Sequence, residues 1–148
     1  MASPLDDSHT TVMGLWTDAS QYMRAAKVLN AQDEFEHSQV LYYLIGHALE
    51  LAFKSYIRSQ GGTLEQLIKL RHDLVRAEKR ANELGLSDLV SISTQEKSCL
   101  CLLNSYYKDK EFEYRVTGFR TYPPSKDLIE LVNKILKKTK VACRAALD

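Results

Sequence analysis

A chain of 148 residues, 45% hydrophobic and 26% charged, has the composition of an ordinary soluble globular protein and is long enough for one domain to bury a core. Its formal charge of +1 excludes a global field that would draw the whole molecule to nucleic acid or membrane. Three cysteines cannot all pair within the chain, and no CxxC or downstream histidine set suggests zinc, so no metal and no cofactor is expected.

The N-terminal MASPLDDSHTT has neither a basic n-region nor an apolar h-region, so no signal peptide is read there. Residues 1–15 read as a loose lead-in. Thr17 or Asp18 is the expected cap of a first helix reaching about Asn30, with Trp16 outside it. Tyr22, Ala25, Ala26 and Leu29 give that helix an apolar face. Acids outnumber bases over residues 1–36, where Asp6, Asp7, Asp18, Asp33, Glu34 and Glu36 meet only Arg24 and Lys27.

A second and longer helix is expected from Asp33 to about Gln60, ending at Gly61-Gly62. Its core, YYLIGHALELAFKSYIR, is the most informative stretch of the chain. At about 100° per residue, Tyr43, His47, Glu50, Lys54 and Arg58 share an arc of roughly 80°. Leu41, Leu44, Ile45, Ala48, Leu51, Ala52 and Tyr56 cover most of the rest. A helix apolar nearly all round belongs in the middle of a bundle, and its polar stripe must find partners or a wet crevice. Two readings stand. In one, the stripe is an internal hydrogen-bonded network, as inward polar groups in bundles commonly are. In the other it lines a groove, with Lys54 and Arg58 on a ligand phosphate and Tyr43 stacked on a base. Gly46, Ala48 and Ala52 would let neighbouring helices approach closely.

Thr63 and Gln66 have the spacing of a capping box for a short helix with Leu64, Leu67, Ile68 and Leu70. His72-Asp73 opens the next helix, Asp73 capping it and Gly85-Leu86 stopping it. Ser87 or Asp88 then caps a helix running to about Tyr107, with a bend or break expected in the polar stretch Ser93–Ser98. Cys99 and Cys101, two apart on it, point about 200° away from each other. Lys108 to Pro124 reads as an aromatic-rich loop or a short hairpin. Its arginines and aromatics (Arg115, Arg120 and Tyr122 among them) suit packing, a protein interface or a single-stranded nucleic-acid surface. Ser125 caps the last helix, with Leu128, Leu131, Val132, Ile135, Leu136, Ala142 and Ala146 on one face. Six bases over residues 126–148 face Asp127, Glu130 and Asp148. The sum is an all-α, up-down helical bundle of five or six helices.

The order of these features resembles the HEPN (higher eukaryotes and prokaryotes nucleotide-binding) superfamily over about residues 35–140. The likeness rests on Gly46, Ala48, Leu49, Glu50 and Lys54, then His72, Asp73 and Leu74, then Tyr122-Pro123 before the final helix. It implies an all-α bundle, usually dimeric. The roles it implies range from ribonuclease to non-catalytic partner of a nucleotidyltransferase or nucleotide-binding module. Ribonuclease members carry an arginine four to six residues before a histidine. None stands at that distance before His9, His37, His47 or His72. The expectation is therefore a cytoplasmic, non-catalytic binding or partner module, a homodimer, with no catalytic residue named. Its candidate ligand residues are Tyr43, His47, Glu50, Lys54, Arg58, His72, Arg115, Arg120 and Tyr122. The alternatives are a divergent ribonuclease using His47 or His72 as general base, and a structural homodimer without ligand.

Overall fold

The computed structural model describes residues 8–110 and 121–146, and every regular element among them is helical. Seven α-helices follow in order: α1 Val12–Asn30, α2 Gln39–Ser59, α3 Leu64–Lys69, α4 Leu74–Glu83, α5 Leu86–Leu89, α6 Thr94–Tyr107 and α7 Ser125–Ala145. The protein is the expected all-α helical bundle. None of its helices, among the described residues, is long and apolar enough to cross a membrane.

Boundaries differ from expectation where a local cap outweighs the wider pattern. Helix α1 starts earlier than expected, because Thr11 caps it by accepting from the Gly14 backbone N–H. Trp16 therefore lies inside α1, where its indole N–H donates to the Leu136 carbonyl at 3.2 Å. The second helix does not begin at Asp33. A 3₁₀ turn spans Asp33–Phe35, His37 adopts a left-handed backbone (φ 59°), and Ser38 caps α2 through the Leu41 N–H. Neither Ser87 nor Asp88 caps the long helix expected there. The chain is extended at Val90, and Ser93 with Glu96 forms a capping box that starts α6. This break turns six expected helices into seven. Ser125 opens α7, but its hydroxyl bonds Asn30 Oδ1 rather than the helix backbone. Residues 1–7 and 111–120 lie outside the described residues, and with them the choice between loop and hairpin around Arg115 and Arg120.

Other joints follow the sequence closely. Gly61 at φ 96° and Gly62 close α2 by donating to the carbonyls of Arg58 and Ile57, a Schellman pair that satisfies two orphan acceptors. The Thr63–Gln66 capping box forms, and Asp73 accepts from the N–H groups of Val75 and Arg76.

Helix α2 is the axle. Thirteen of its 21 residues are buried, and it touches α1, α3, α4, α6 and α7. Arg58 at its end bonds the Thr10 carbonyl before α1, so α1 and α2 run antiparallel. Helix α7 runs parallel to α2, since Tyr42 bonds Pro123 near one end and Cys143 meets Ser55 near the other. The core between them is filled by Leu41, Ile45, Leu49, Phe53, Ile57, Leu131, Val132 and Ile135, with Met23 and Ala26 from α1. Gly46 admits the Tyr107 ring of α6 against the α2 backbone, where a Cβ would come within 2.7 Å of Tyr107 Cε1.

That contact makes a prediction. In Gly46→Ala, helix propensity favours alanine by about 0.5–1 kcal/mol, while overpacking against Tyr107 costs about 1–3 kcal/mol. The displaced ring also gives up its hydrogen bonds, so net destabilisation of about 1–3 kcal/mol is expected, read as a lower urea midpoint with an unchanged slope.

Candidate functional site

The stripe on α2 converges on one carboxylate. Glu50 is 4% exposed. Its Oε2 accepts from Lys54 Nζ at 2.8 Å, and its Oε1 from Tyr107 OH at 2.7 Å and His72 Nδ1 at 3.0 Å. Helix α2 supplies Glu50 and Lys54 one turn apart, α6 supplies Tyr107 over Gly46, and the turn before α4 supplies His72. Lys54, 8% exposed, also donates to the Arg71 carbonyl at 2.7 Å. That carbonyl belongs to a residue held in a left-handed conformation (φ 52°) just past α3, a costly geometry for a side chain with a Cβ. Burial pushes the Glu50 carboxyl up. The charge and hydrogen bond of Lys54, then the bonds from Tyr107 and His72, outweigh it and hold the group below its ordinary value of 4.5.

An ionised Glu50 fixes the direction of the surrounding bonds. It can only accept, so Tyr107 spends its hydroxyl proton on Glu50. The Tyr107 oxygen is then the acceptor for His47 Nδ1, 3.0 Å away. His72 likewise donates through Nδ1. Both imidazoles therefore carry a proton on Nδ1, and in the neutral form their lone pair lies at Nε2. Tyr43 stacks on His47 with centroids 5.8 Å apart, and the Tyr22 edge meets His47 at 4.5 Å. The His72 side chain is 40% exposed, and His47 and Tyr43 are partly exposed, so the network reaches solvent at its imidazole edge.

A second set of bonds seats α6 beside α4. Asn104 Oδ1 accepts from the Leu74 N–H at 2.8 Å, and its amide donates to Asp73 Oδ1 at 2.9 Å. Asp73 is thus a cap that also receives a buried side chain from another helix.

The structure brings Tyr43, His47, Glu50, Lys54 and His72 together. Arg58 stands at the far end of α2, its guanidinium donating to the carbonyls of Thr10 and Gly62. Tyr122 is on another face, stacked on Tyr42 at 4.5 Å and edge-on to Tyr106. Arg115 and Arg120 lie outside the described residues. The sequence places Tyr107 on the apolar face of its helix and among the aromatics that follow it, not beside Glu50, and it gives Asn104 no role, because their partners lie 57 and about 30 residues away. The available signal was a polar Asn104 beside buried Leu100 and Leu103. Among the described residues the surface holds recesses, and one of them borders the network through Tyr22, which packs on His47. A cleft of about 340 Å³ is lined by Glu78, Asn82, Val90, Ser91 and Lys97, where Lys97 pairs with Glu78. A groove of about 370 Å³ between α1 and α2 is lined by Asp18, Gln21, Tyr22, Ala25 and Leu44.

No family model matches the chain, nor does any curated protein or solved structure. The geometry therefore stands as the main guide to chemistry. It describes a self-satisfied ionic network with two imidazoles at its edge and the Lys54 charge turned inward.

Glu50→Gln leaves the Lys54 charge buried without its counter-ion, which typically costs about 3–5 kcal/mol. Adding Lys54→Met should restore part of that loss, and a double-mutant cycle measures the coupling. The pH dependence has a defined sign. Because the folded-state carboxyl is depressed, its contribution is fully present above the ordinary value of 4.5 and is lost as pH falls through the lower folded value. The stability gap between wild type and Glu50→Gln, measured by urea unfolding, should therefore shrink in acid below 4.5 and hold steady at neutral pH.

Proposed function

We propose that this chain is a non-catalytic, HEPN-like helical module: a binding or partner subunit of a nucleotide- or RNA-related system. In this reading it acts as a cytoplasmic homodimer, with a nucleotidyltransferase as its candidate protein partner. The observation that carries the reading is the company Glu50 keeps. Lys54 and His72, which share the sequence resemblance with Glu50, both hydrogen-bond to its carboxylate, His72 across 22 residues of chain. Asp73 beside them seats α6 through Asn104. The motif thus acts as a fastening between helices. Lys54 spends donors on Glu50 and Arg71, and Arg58 spends donors on Thr10 and Gly62. This use of the cations favours a ligand met at the surface over one held inside the stripe. The absence of an arginine four to six residues before any histidine supports a non-catalytic role.

One observation favours a second reading, a divergent ribonuclease. A half-exposed imidazole oriented by a buried carboxylate is the arrangement that general bases use, and His72 on Glu50 has that form.

Three measurements test these readings. Labelled RNA incubated with the pure protein should stay intact; cleavage abolished by His72→Ala would establish the enzyme instead. Nucleotides and short RNAs should raise the melting temperature in a concentration-dependent way, because ligands that bind only the folded state stabilise it. A flat response across that set removes the binding role. Light scattering should give twice the chain mass at micromolar concentration, and a monomer mass would refute the dimer.

A further inference from the structure

The outer face of α7 carries charge that the bundle does not use. From Lys134 to Ala146 the chain holds Lys134, Lys137, Lys138, Lys140 and Arg144 and no acid. Two of these are engaged with the protein. Lys134 donates to Glu96 and to the Ser91 carbonyl, each at 2.6 Å, and Lys140 Nζ sits 5.5 Å from the Trp16 ring centroid. Lys137, Lys138 and Arg144 are exposed and make no ion pair with any described residue. Lys126, also exposed, continues the face toward the start of the helix. With about 100° and 1.5 Å per residue, Lys126, Lys137 and Arg144 fall within about 20° of a single line roughly 27 Å long, the exposed Glu130 stands beside that line between Lys126 and Lys137, and Lys138 lies about 100° round from Lys137.

The helix macrodipole accounts for little of this. Its effect is confined to the last turn, where Arg144 is the basic residue. Lys137 and Lys138 lie nearly two turns upstream. The pairs Lys134/Lys138 and Lys140/Arg144 are four residues apart and Lys137/Lys140 three, so like charges face each other along the helix and weaken it. A membrane surface does not fit, because Leu128, Leu131, Val132, Ile135 and Leu136 are buried in the core, leaving Val141 as the exposed apolar side chain of that turn. A band of exposed cations over the second half of α7, with no acid from Lys134 to Ala146 and little apolar surface, suits a hydrophilic polyanion.

We propose that this face of α7 binds the phosphodiester backbone of a nucleic acid without reading its sequence, Lys137, Lys138 and Arg144 meeting phosphates and Lys126 extending the track. The proposal rests on the nucleotide- or RNA-related reading above and gives it a surface. That surface lies apart from the Glu50 network, so it leaves both the core and the imidazoles untouched.

The test is fluorescence anisotropy of the full chain with labelled single-stranded RNA, single-stranded DNA and duplex DNA at rising salt. Neutralising three phosphates predicts that log K falls with log salt at a slope of about −2 for single strands and nearer −3 for a duplex. The variant Lys137→Glu/Lys138→Glu/Arg144→Glu should weaken binding at least tenfold at low salt and flatten that slope. The milder Lys137→Gln/Lys138→Gln/Arg144→Gln should lie between, and circular dichroism of both checks the fold. Reversal of the α4 bases, Lys79→Glu/Arg80→Glu, should change little. The ranking of RNA against DNA identifies the physiological source. Unchanged affinity in both α7 variants overturns the proposal, as does equal binding of polyglutamate, which carries charge but no phosphate. Absence of polymer binding alongside a nucleotide-dependent thermal shift sinks this surface alone. Absence of both sinks the nucleotide-related reading with it.

Discussion

A carboxylate can sit inside a helical bundle only if donors surround it when the bundle closes, and the placement of Glu50 sets that requirement for this chain. Three groups meet it, from α2 itself, from the end of α6 and from the turn before α4. Each brings its own dependents. Tyr107 reaches Glu50 because Gly46 has no side chain, and Lys54 is held because the Arg71 carbonyl turns toward it from a left-handed residue. The pair is not the weak exposed i, i+4 bridge that its spacing alone suggests. In the interior it stands or falls with its geometry, and replacing both charges by apolar groups need not be costly.

This same constraint channels any chemistry toward the edge. With Glu50 ionised and Tyr107 donating to it, the proton positions run outward in one direction, ending at the Nε2 atoms of His47 and His72. A network this fully bonded has little reason to move. Proton traffic or ligand contact, where it occurs, belongs to this imidazole edge. The proposed anion binding falls instead on α7, where Lys137, Lys138 and Arg144 make no ion pair with any described residue.

The sequence made the fold and the axle legible because both rest on local patterns: the nearly all-round apolar content of α2, the capping box at Thr63 and Gln66, the Asp73 cap and the Gly61-Gly62 stop. It also placed Glu50, Lys54, Tyr43 and His47 on one face, and left open whether they formed a network or a groove. Boundaries went astray where short caps ruled. Thr11 extended α1 over Trp16, Ser38 with a left-handed His37 cut α2 short, and Ser93 restarted α6 after a break. Tyr107 and Asn104 meet their partners through tertiary packing. No periodicity within a window of a dozen residues encodes such a meeting. Glu50, Lys54 and His72, three of the residues on which the resemblance to HEPN proteins was drawn, meet in space at one carboxylate. The aromatic segment holding Arg115 and Arg120 lies outside the described residues.

Trp16 is the chain's one tryptophan, and it rests at the seam where the first helix meets the last, bonded to Leu136 across 120 residues and covered by Lys140. Bringing together points so distant along a polymer carries a larger loop-closure entropy than the contacts within α2 or between α1 and α2. Indole emission from this protein consequently reports the joining of its two ends, and the polar centre around Glu50 is optically silent in that channel. A fluorescence-detected melt and a far-ultraviolet melt thus watch different parts of one molecule, and coincidence between them would measure how tightly the closing of the chain is coupled to the integrity of its axle.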